Sequence, residues 1–197
     1  MILYGASGHA KVIIDCVFAN KAVIKGIFDD NPELKFLNDV KVIGAYQHDQ
    51  LPNEKIIISI GNNLTRKEIS QKIKHTFGKA IHPSAIISEF AQIDAGTVIF
   101  HRSIVQSGCS VGKHCILNTM SSIDHDCVLE DFVHISPNAV LCGNVKVGEG
   151  TLIGAGASVI PGIHIGKWCV IGAGAAIIDD VPDNAVVVGV PGRIVQK

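Results

Sequence analysis

The stretch from Ile93 to Ile123 reads I-D-A-G-T-V-I-F-H-R-S-I-V-Q-S-G-C-S-V-G-K-H-C-I-L-N-T-M-S-S-I, with an aliphatic residue at every sixth position. The same register runs outward without a slip from Ile81 to Ile177, through Ile87, Ile99, Val105, Val111, Leu117, Leu129, Ile135, Leu141, Val147, Ile153, Val159, Ile165 and Ile171. Neither a strand of period 2.0 nor a helix of period 3.6 produces that spacing. It predicts a solenoid, a parallel β-helix whose short strands alternate with sharp turns and whose rungs stack to bury one aliphatic column.

The position two before each aliphatic supports this reading, because it holds Ala, Ser, Thr or Cys at most repeats, among them Thr97, Ser103, Cys109, Cys115, Ser121, Cys127, Ala157 and Ala175. Side chains that small let a corner close tightly. Glycine follows the aliphatic at Gly112, Gly148, Gly154, Gly166 and Gly172, where the expectation is a turn that demands positive φ. Phe90, Phe132 and Trp168 share a phase three before the aliphatic, which keeps the large rings off the narrow interior; packing between subunits is expected for them. His101, His114 and His164 read as surface residues of the solenoid.

The balance of 17 Lys and Arg against 18 Asp and Glu gives no basic field to suggest a nucleic-acid partner. The six cysteines form no C-x-x-C pair, and four occupy the small corner position, which reads as packing in a reducing compartment. Met1 to Tyr4 lacks the charged start of a signal peptide, and no apolar run reaches membrane-spanning length. The expectation is a cytoplasmic protein without a membrane partner.

Residues 1–79 read as a separate α/β domain of Rossmann-like type, and residues 80–197 as the solenoid with a C-terminal tail. Residues 2–4 form a buried strand, Gly5 to His9 a turn, Ala10 to Ala19 a helix with an apolar stripe, and Val23 to Phe28 a second strand. Val40 to Gly44 is a short strand or loop. Lys55 to Ile60 is a continuous apolar run typical of a buried parallel strand, and Thr65 to Glu68 has the pattern of a capping box opening a helix to about His75. The turns at 5–9, 29–31 and 61–63 then share the carboxyl edge of one parallel sheet, where ligands bind in open α/β folds. The first leads into a helix N-terminus suited to a phosphate. The glycine spacing departs from G-x-G-x-x-G, so a dinucleotide site is not expected.

Asp124-His125-Asp126 interrupts the repeat just after Ile123. A neighbouring carboxylate holds one imidazole tautomer and favours its charged form, tuning a base whose ordinary pKa is about 6.5. Residues 18 apart stack one strand spacing apart, about 4.8 Å, which sets Asn118 under Ser136 and His125 under Gly143. A Gly143 N–H can therefore face the cleft of the imidazole. His134 falls on a different face. No metal-ligand cluster stands at usable spacing.

Several motifs carry a narrower resemblance: Y-G-A-S-G-H at Tyr4 to His9, F-D-D at Phe28 to Asp30, I-G-N-N at Ile60 to Asn63, I-H-P-S-A at Ile81 to Ala85, L-N-T-M-S-S-I-D-H-D at Leu117 to Asp126, and V-V-G-V-P-G-R at Val187 to Arg193. Together they resemble the hexapeptide-repeat sugar acetyltransferases of the sialic acid O-acetyltransferase type, most nearly the bacterial UDP-4-amino-sugar N-acetyltransferases that include the bacillosamine-pathway enzyme. The resemblance implies a left-handed β-helix, a homotrimer, and direct transfer from acetyl-CoA to the amine of a nucleotide-linked 4-amino-4,6-dideoxy sugar. It implies His125 as general base with Asp126 as its partner and Asn118 beside the cleft. Acetyl-CoA would be held by His134, Gly143 and the backbone at Ala155 and Ala173. The nucleotide sugar would be held by Ser7, Gly8, His9, Asp29, Asp30, Gly61 and Asn62. O-acetylation of a sialic acid or another sugar, and a non-catalytic nucleotide-sugar-binding scaffold, are the alternatives.

Overall fold

A computed structural model describes residues 1–196; Lys197 lies outside it. The chain forms a Rossmann-like α/β unit followed by a parallel β-helix. In the first, β1 (Ile2–Tyr4), α1 (Gly8–Ala19), β2 (Gly26–Phe28), β3 (Phe36–Leu37), β4 (Val40–Gly44), β5 (Ile56–Ile58) and α2 (Asn63–Ser70) form a sheet of order β3-β4-β2-β1-β5. It is parallel except for the short β3–β4 hairpin, which the sequence reading did not include. The expected capping box is displaced: Asn62, not Thr65, caps α2, its side chain accepting the Thr65 N–H at 2.9 Å, and the helix ends at Ser70.

From Ala80 onward, two-residue strands run around a triangular prism. Face one runs from Ala80–Ile81 to Val170–Ile171, face two from Ile86–Ile87 to Ala176–Ile177, and face three from Gln92–Ile93 to His164–Ile165. Every ladder between coils is parallel and pairs residue i with i+18, as in Ile116 with His134 and Ser122 with Val140. A C-terminal hairpin of Val186–Val188 and Arg193–Gln196 continues face one. The aliphatic of each hexad is buried from Ile99 onward, as are the small residues two before it. Each Ile, Leu or Val removed from water contributes about 1.5–3 kcal/mol, so the column supplies the main cohesion of the solenoid.

The turns differ from the sequence expectation in one respect. Positive φ occurs three residues before the aliphatic, at every hexad from Gly96 to Gly174, and includes Arg102, His114, Asp126, Phe132 and Trp168. The glycines that follow the aliphatic are not left-handed. They are required because adjacent coils come close: a Cβ on Gly154 would lie 2.5 Å from the Ile171 carbonyl oxygen and 2.6 Å from the Ala173 nitrogen. Backbone cannot step aside as a side chain can. Gly154→Ala is therefore expected to cost about 1–3 kcal/mol, the usual range for overpacking. Urea unfolding of both proteins at one concentration checks this, and a loss under about 0.5 kcal/mol would contradict the close-packing account.

Face one carries the N-terminal domain. Its outward positions Ala80, Val98 and Ile116 are buried and cluster with Leu3, Ile13 and Val17 from β1 and α1. The Asn20 side chain donates to the Ile81 carbonyl at 2.7 Å. The next outward residue in that column is His134, where the cover from α1 ends and a cleft begins.

Candidate functional site

Two groups of polar residues stand on different sides of the prism. The first is at the vertex between faces two and three, opposite the face that carries the N-terminal domain. There Asp126 has φ of 61°, a left-handed conformation that Asp tolerates better than most residues. This swings its carboxylate toward its own neighbour, and His125 Nδ1 lies 2.9 Å from Asp126 Oδ2. Asp124 Oδ1 accepts the His125 backbone N–H at 2.8 Å, fixing the start of the turn. The hydrogen bond to Asp126 and the charge of Asp124 raise the His125 pKa above its ordinary value. With Nδ1 tied to a carboxylate, Nε2 is left as the basic nitrogen, on the edge of the ring that meets Gly143.

Gly143, one coil above, is where the stacking rule set it. A Cβ there would lie 2.6 Å from both Cε1 and Nε2 of His125, so the ring occupies the space that any side chain would fill. The Gly143 N–H donates to no protein acceptor among the described residues. A basic nitrogen and a free N–H thus stand side by side, the glycine itself buried beneath the exposed ring. The vertex has no enclosing wall of its own, since the side chains of His125 and Asp126 are 60% and 66% exposed.

The second group surrounds the cleft between face one and the carboxyl edge of the N-terminal sheet. Gly61, Asn62, Leu64, His134, Ser136 and Trp168 are among the residues lining about 500 Å³. Asn118 Nδ2 stands 3.3 Å from His134 Nε2. Burial, with the charge of Arg66 second, holds the His134 pKa down at about 3, so the ring is neutral. His9 lies against the Phe100 ring, with its buried Nε2 making no hydrogen bond and its pKa held down at about 4 by burial and by Arg66. Ser7 caps α1 without a side-chain bond, and Ser7 and Gly8 are exposed, which leaves an open helix N-terminus.

The acidic pair divides its work. Asp29 accepts the backbone N–H groups of Ala6 at 2.7 Å and Asn31 at 2.9 Å, so it shapes the turns on either side of it. Asp30 is exposed at the rim, and its Oδ2 accepts the Tyr4 hydroxyl at 3.0 Å. Seven residues expected for a nucleotide sugar, Ser7, Gly8, His9, Asp29, Asp30, Gly61 and Asn62, therefore share one sheet edge. His134 and Asn118 adjoin them across the cleft. His125, Asp126 and Gly143 do not. Ala155 and Ala173 are exposed on the turn that follows face one, a different corner from Gly143.

Some features escape a sequence reading. His114 is not a surface residue: it is 4% exposed, stacked on Phe132 at 5.1 Å and set edge-on to Phe77 at 4.3 Å. Phe132 is likewise buried within its own chain. Arg66, inside a helix that reads as polar, is 2% exposed. Only its place one turn after G-N-N marks it.

Comparison with known proteins agrees with this architecture. Residues 1–73 match the PglD N-terminal domain, and residues 126–159 and 144–179 match the bacterial transferase hexapeptide (six repeats). The chain is 37% identical over 107 residues to the UDP-N-acetylbacillosamine N-acetyltransferase of Bacillus subtilis (strain 168), covering 49% of each chain. It superposes with TM-score 0.96 and 30% identity on a histidine-to-asparagine mutant of perosamine N-acetyltransferase from Caulobacter crescentus, solved with CoA and GDP-perosamine, covering 100% of this chain and 96% of that one. The acetyltransferase domain of PglB from Neisseria gonorrhoeae FA1090 gives TM-score 0.92 and 33% identity, with 98% of each chain covered.

Proposed function

Because the chain belongs to the hexapeptide-repeat sugar acetyltransferases that carry a PglD-type N-terminal domain, and so uses acetyl-CoA to N-acetylate an amino sugar, we propose that its acceptor is the amine of a nucleotide-linked 4-amino-4,6-dideoxy sugar and that His125 is the general base. The observation that carries the proposal is the contact of His125 Nδ1 with Asp126, 2.9 Å, beside the unoccupied N–H of Gly143.

In this reading the amine nitrogen attacks the thioester carbonyl carbon while Nε2 of His125 takes the proton. The C–N bond forms and the C–S bond breaks. The imidazolium then returns its proton to the departing thiolate, and the Gly143 N–H stabilises negative charge on the carbonyl oxygen. His134 and Asn118 border the acyl group, and Gly143, Ala155 and Ala173 offer backbone to the pantetheine arm. Ser7, Gly8, His9, Asp30, Gly61 and Asn62 meet the nucleotide sugar, with Asp29 holding their turns in place.

Since the base stands at the vertex opposite the cleft, a substrate lying on one chain's N-terminal domain meets a base from another. The arrangement expected is a homotrimer in which the vertex of one prism faces the cleft of the next. Light scattering should give three times the chain mass; a fully active monomer would contradict the shared site.

Relatives include enzymes named for a GDP-linked and for a UDP-linked sugar, so the decisive assay has two nucleotide arms. Acetyl-CoA is supplied with UDP- or GDP-linked 4-amino-4,6-dideoxyhexose, or with sialic acid, and the product is identified by mass and by resistance of an amide to hydroxylamine. One nucleotide arm should yield the amide. An ester on sialic acid, with both amines untouched, would overturn the choice of acceptor.

A further inference from the structure

Arg66 is a cation sealed at the junction of the two domains, and no carboxylate of the described residues pairs with it. Such burial is costly unless the remaining hydrogen-bonding capacity is met. All five N–H groups of its guanidinium donate to oxygen. Nε donates to the His114 carbonyl at 2.8 Å, Nη1 to the carbonyls of Ile60 at 3.0 Å and Gly61 at 3.1 Å, and Nη2 to Asn63 Oδ1 at 2.7 Å and the Phe132 carbonyl at 3.0 Å. Three acceptors belong to the turn that enters α2, and two belong to successive coils of the solenoid. No other side chain has a planar fork of five donors.

The two solenoid acceptors are part of a ladder. His114, Phe132, Gly150 and Trp168 are left-handed residues stacked 18 apart. Arg66 takes the first two carbonyls, the Asn63 side chain donates to the Gly150 carbonyl at 2.9 Å, and Lys67 Nζ lies 5.2 Å from the Trp168 ring. One turn of helix therefore reads four coils in register. On its other side the same turn presents Gly61 and Asn62 to the cleft opposite His134.

We propose that Arg66 is a positioning residue, which fixes the substrate-binding turn Gly61–Asn62 at a set distance from His134 across the cleft while touching neither substrate itself. Lysine in its place would keep the charge but offer three donors in no fixed plane, so the turn would be attached to the solenoid at fewer points. The effect would fall on the nucleotide sugar, held by the N-terminal domain, more than on acetyl-CoA, held by the solenoid.

This inference rests on the acetyl-transfer reading, and the test separates the two. Wild type, Arg66→Lys and Asn63→Ala are compared by circular dichroism, thermal melting, acetyl-transfer kinetics with the nucleotide amino sugar active in wild type, and calorimetric binding of CoA and of UDP and GDP. Both variants should be folded at the assay temperature. For Arg66→Lys, KM for the nucleotide sugar should rise at least tenfold and kcat should fall, while CoA affinity stays within threefold; Asn63→Ala should show the same split to a smaller extent. Kinetic parameters within threefold of wild type for a folded Arg66→Lys would overturn the proposal. So would an activity loss that only tracks the unfolded fraction, or equal loss of both affinities. If Arg66→Lys does not fold, Asn63→Ala decides by the same criteria. Absence of acetyl transfer by wild type would instead sink the parent reading, and the nucleoside diphosphate affinities of the variants would still test the positioning of the turn.

Discussion

His125→Ala should lower acetyl transfer by about 10²–10⁴, the usual worth of a positioned general base, while leaving the fold as it is. The ring is exposed and contributes nothing to the aliphatic column, so melting should be unchanged and the loss should appear in kcat and kcat/KM together. The pH profile carries the same information. Asp126 and Asp124 raise the His125 pKa, and a base acts only when neutral. Activity should therefore rise with pH to a plateau, through an apparent pKa above the ordinary 6.5 or so of imidazole. Asp126→Asn should move that midpoint down and lower the plateau. A folded His125→Ala that retains activity within about tenfold of wild type, when loss of a base is worth more, would remove this side chain from the mechanism.

Gly143→Ala should be nearly as damaging to rate and almost neutral to stability. The added methyl would meet the His125 ring at 2.6 Å. An exposed imidazole can swing away at little energetic cost, and a displacement of about 1 Å at a reacting group is enough to lose about 10² in rate. The contrast with Gly154→Ala is the useful part. There the methyl meets backbone of the next coil, so the expected damage is to unfolding free energy. Two glycines of the same solenoid thus separate a catalytic reason for the absent side chain from an architectural one. Initial rates and melting curves on both variants check it, and unchanged activity of Gly143→Ala would dissociate the glycine from the base.

How much of this was legible in the sequence varies with the kind of interaction involved. The six-residue period specified the column, the small corner residues and the pairing of residue i with i+18, and from these the stacking of His125 under Gly143 followed directly. Steric reasons for glycine were harder to separate. Positive φ falls on a phase occupied by Arg, His, Met, Asp, Phe and Trp as well as Gly, because each coil repeats the same turn whatever residue stands there. The glycines after the aliphatic report instead how near the next coil approaches, which depends on its backbone and leaves no local mark. His114 and Arg66 were hidden for a related reason: their burial comes from the domain docked on face one, and a helix of low hydrophobicity such as Asn63–Ser70 gives no sign that one of its cations is enclosed. Conversely, two strands of the small domain were longer in expectation than in fact, Val23 to Phe28 reducing to Gly26–Phe28 and Lys55 to Ile60 to Ile56–Ile58, since apolar runs extend past the residues that make ladder bonds.

The pairing of residue i with i+18 turns position in the chain into an angular address. Removing a single hexad between His114 and Phe132 would rotate everything after the cut by a third of a revolution. Phe132 would then no longer stand above His114; Asn138, which turns the following corner with the same left-handed φ, would take its place, and the aromatic stack on His114 would be lost. Removing a whole coil would restore every angle and alter only height. Length changes in this molecule should therefore be tolerated in units of one complete coil, and the small domain is the gauge against which such changes are measured.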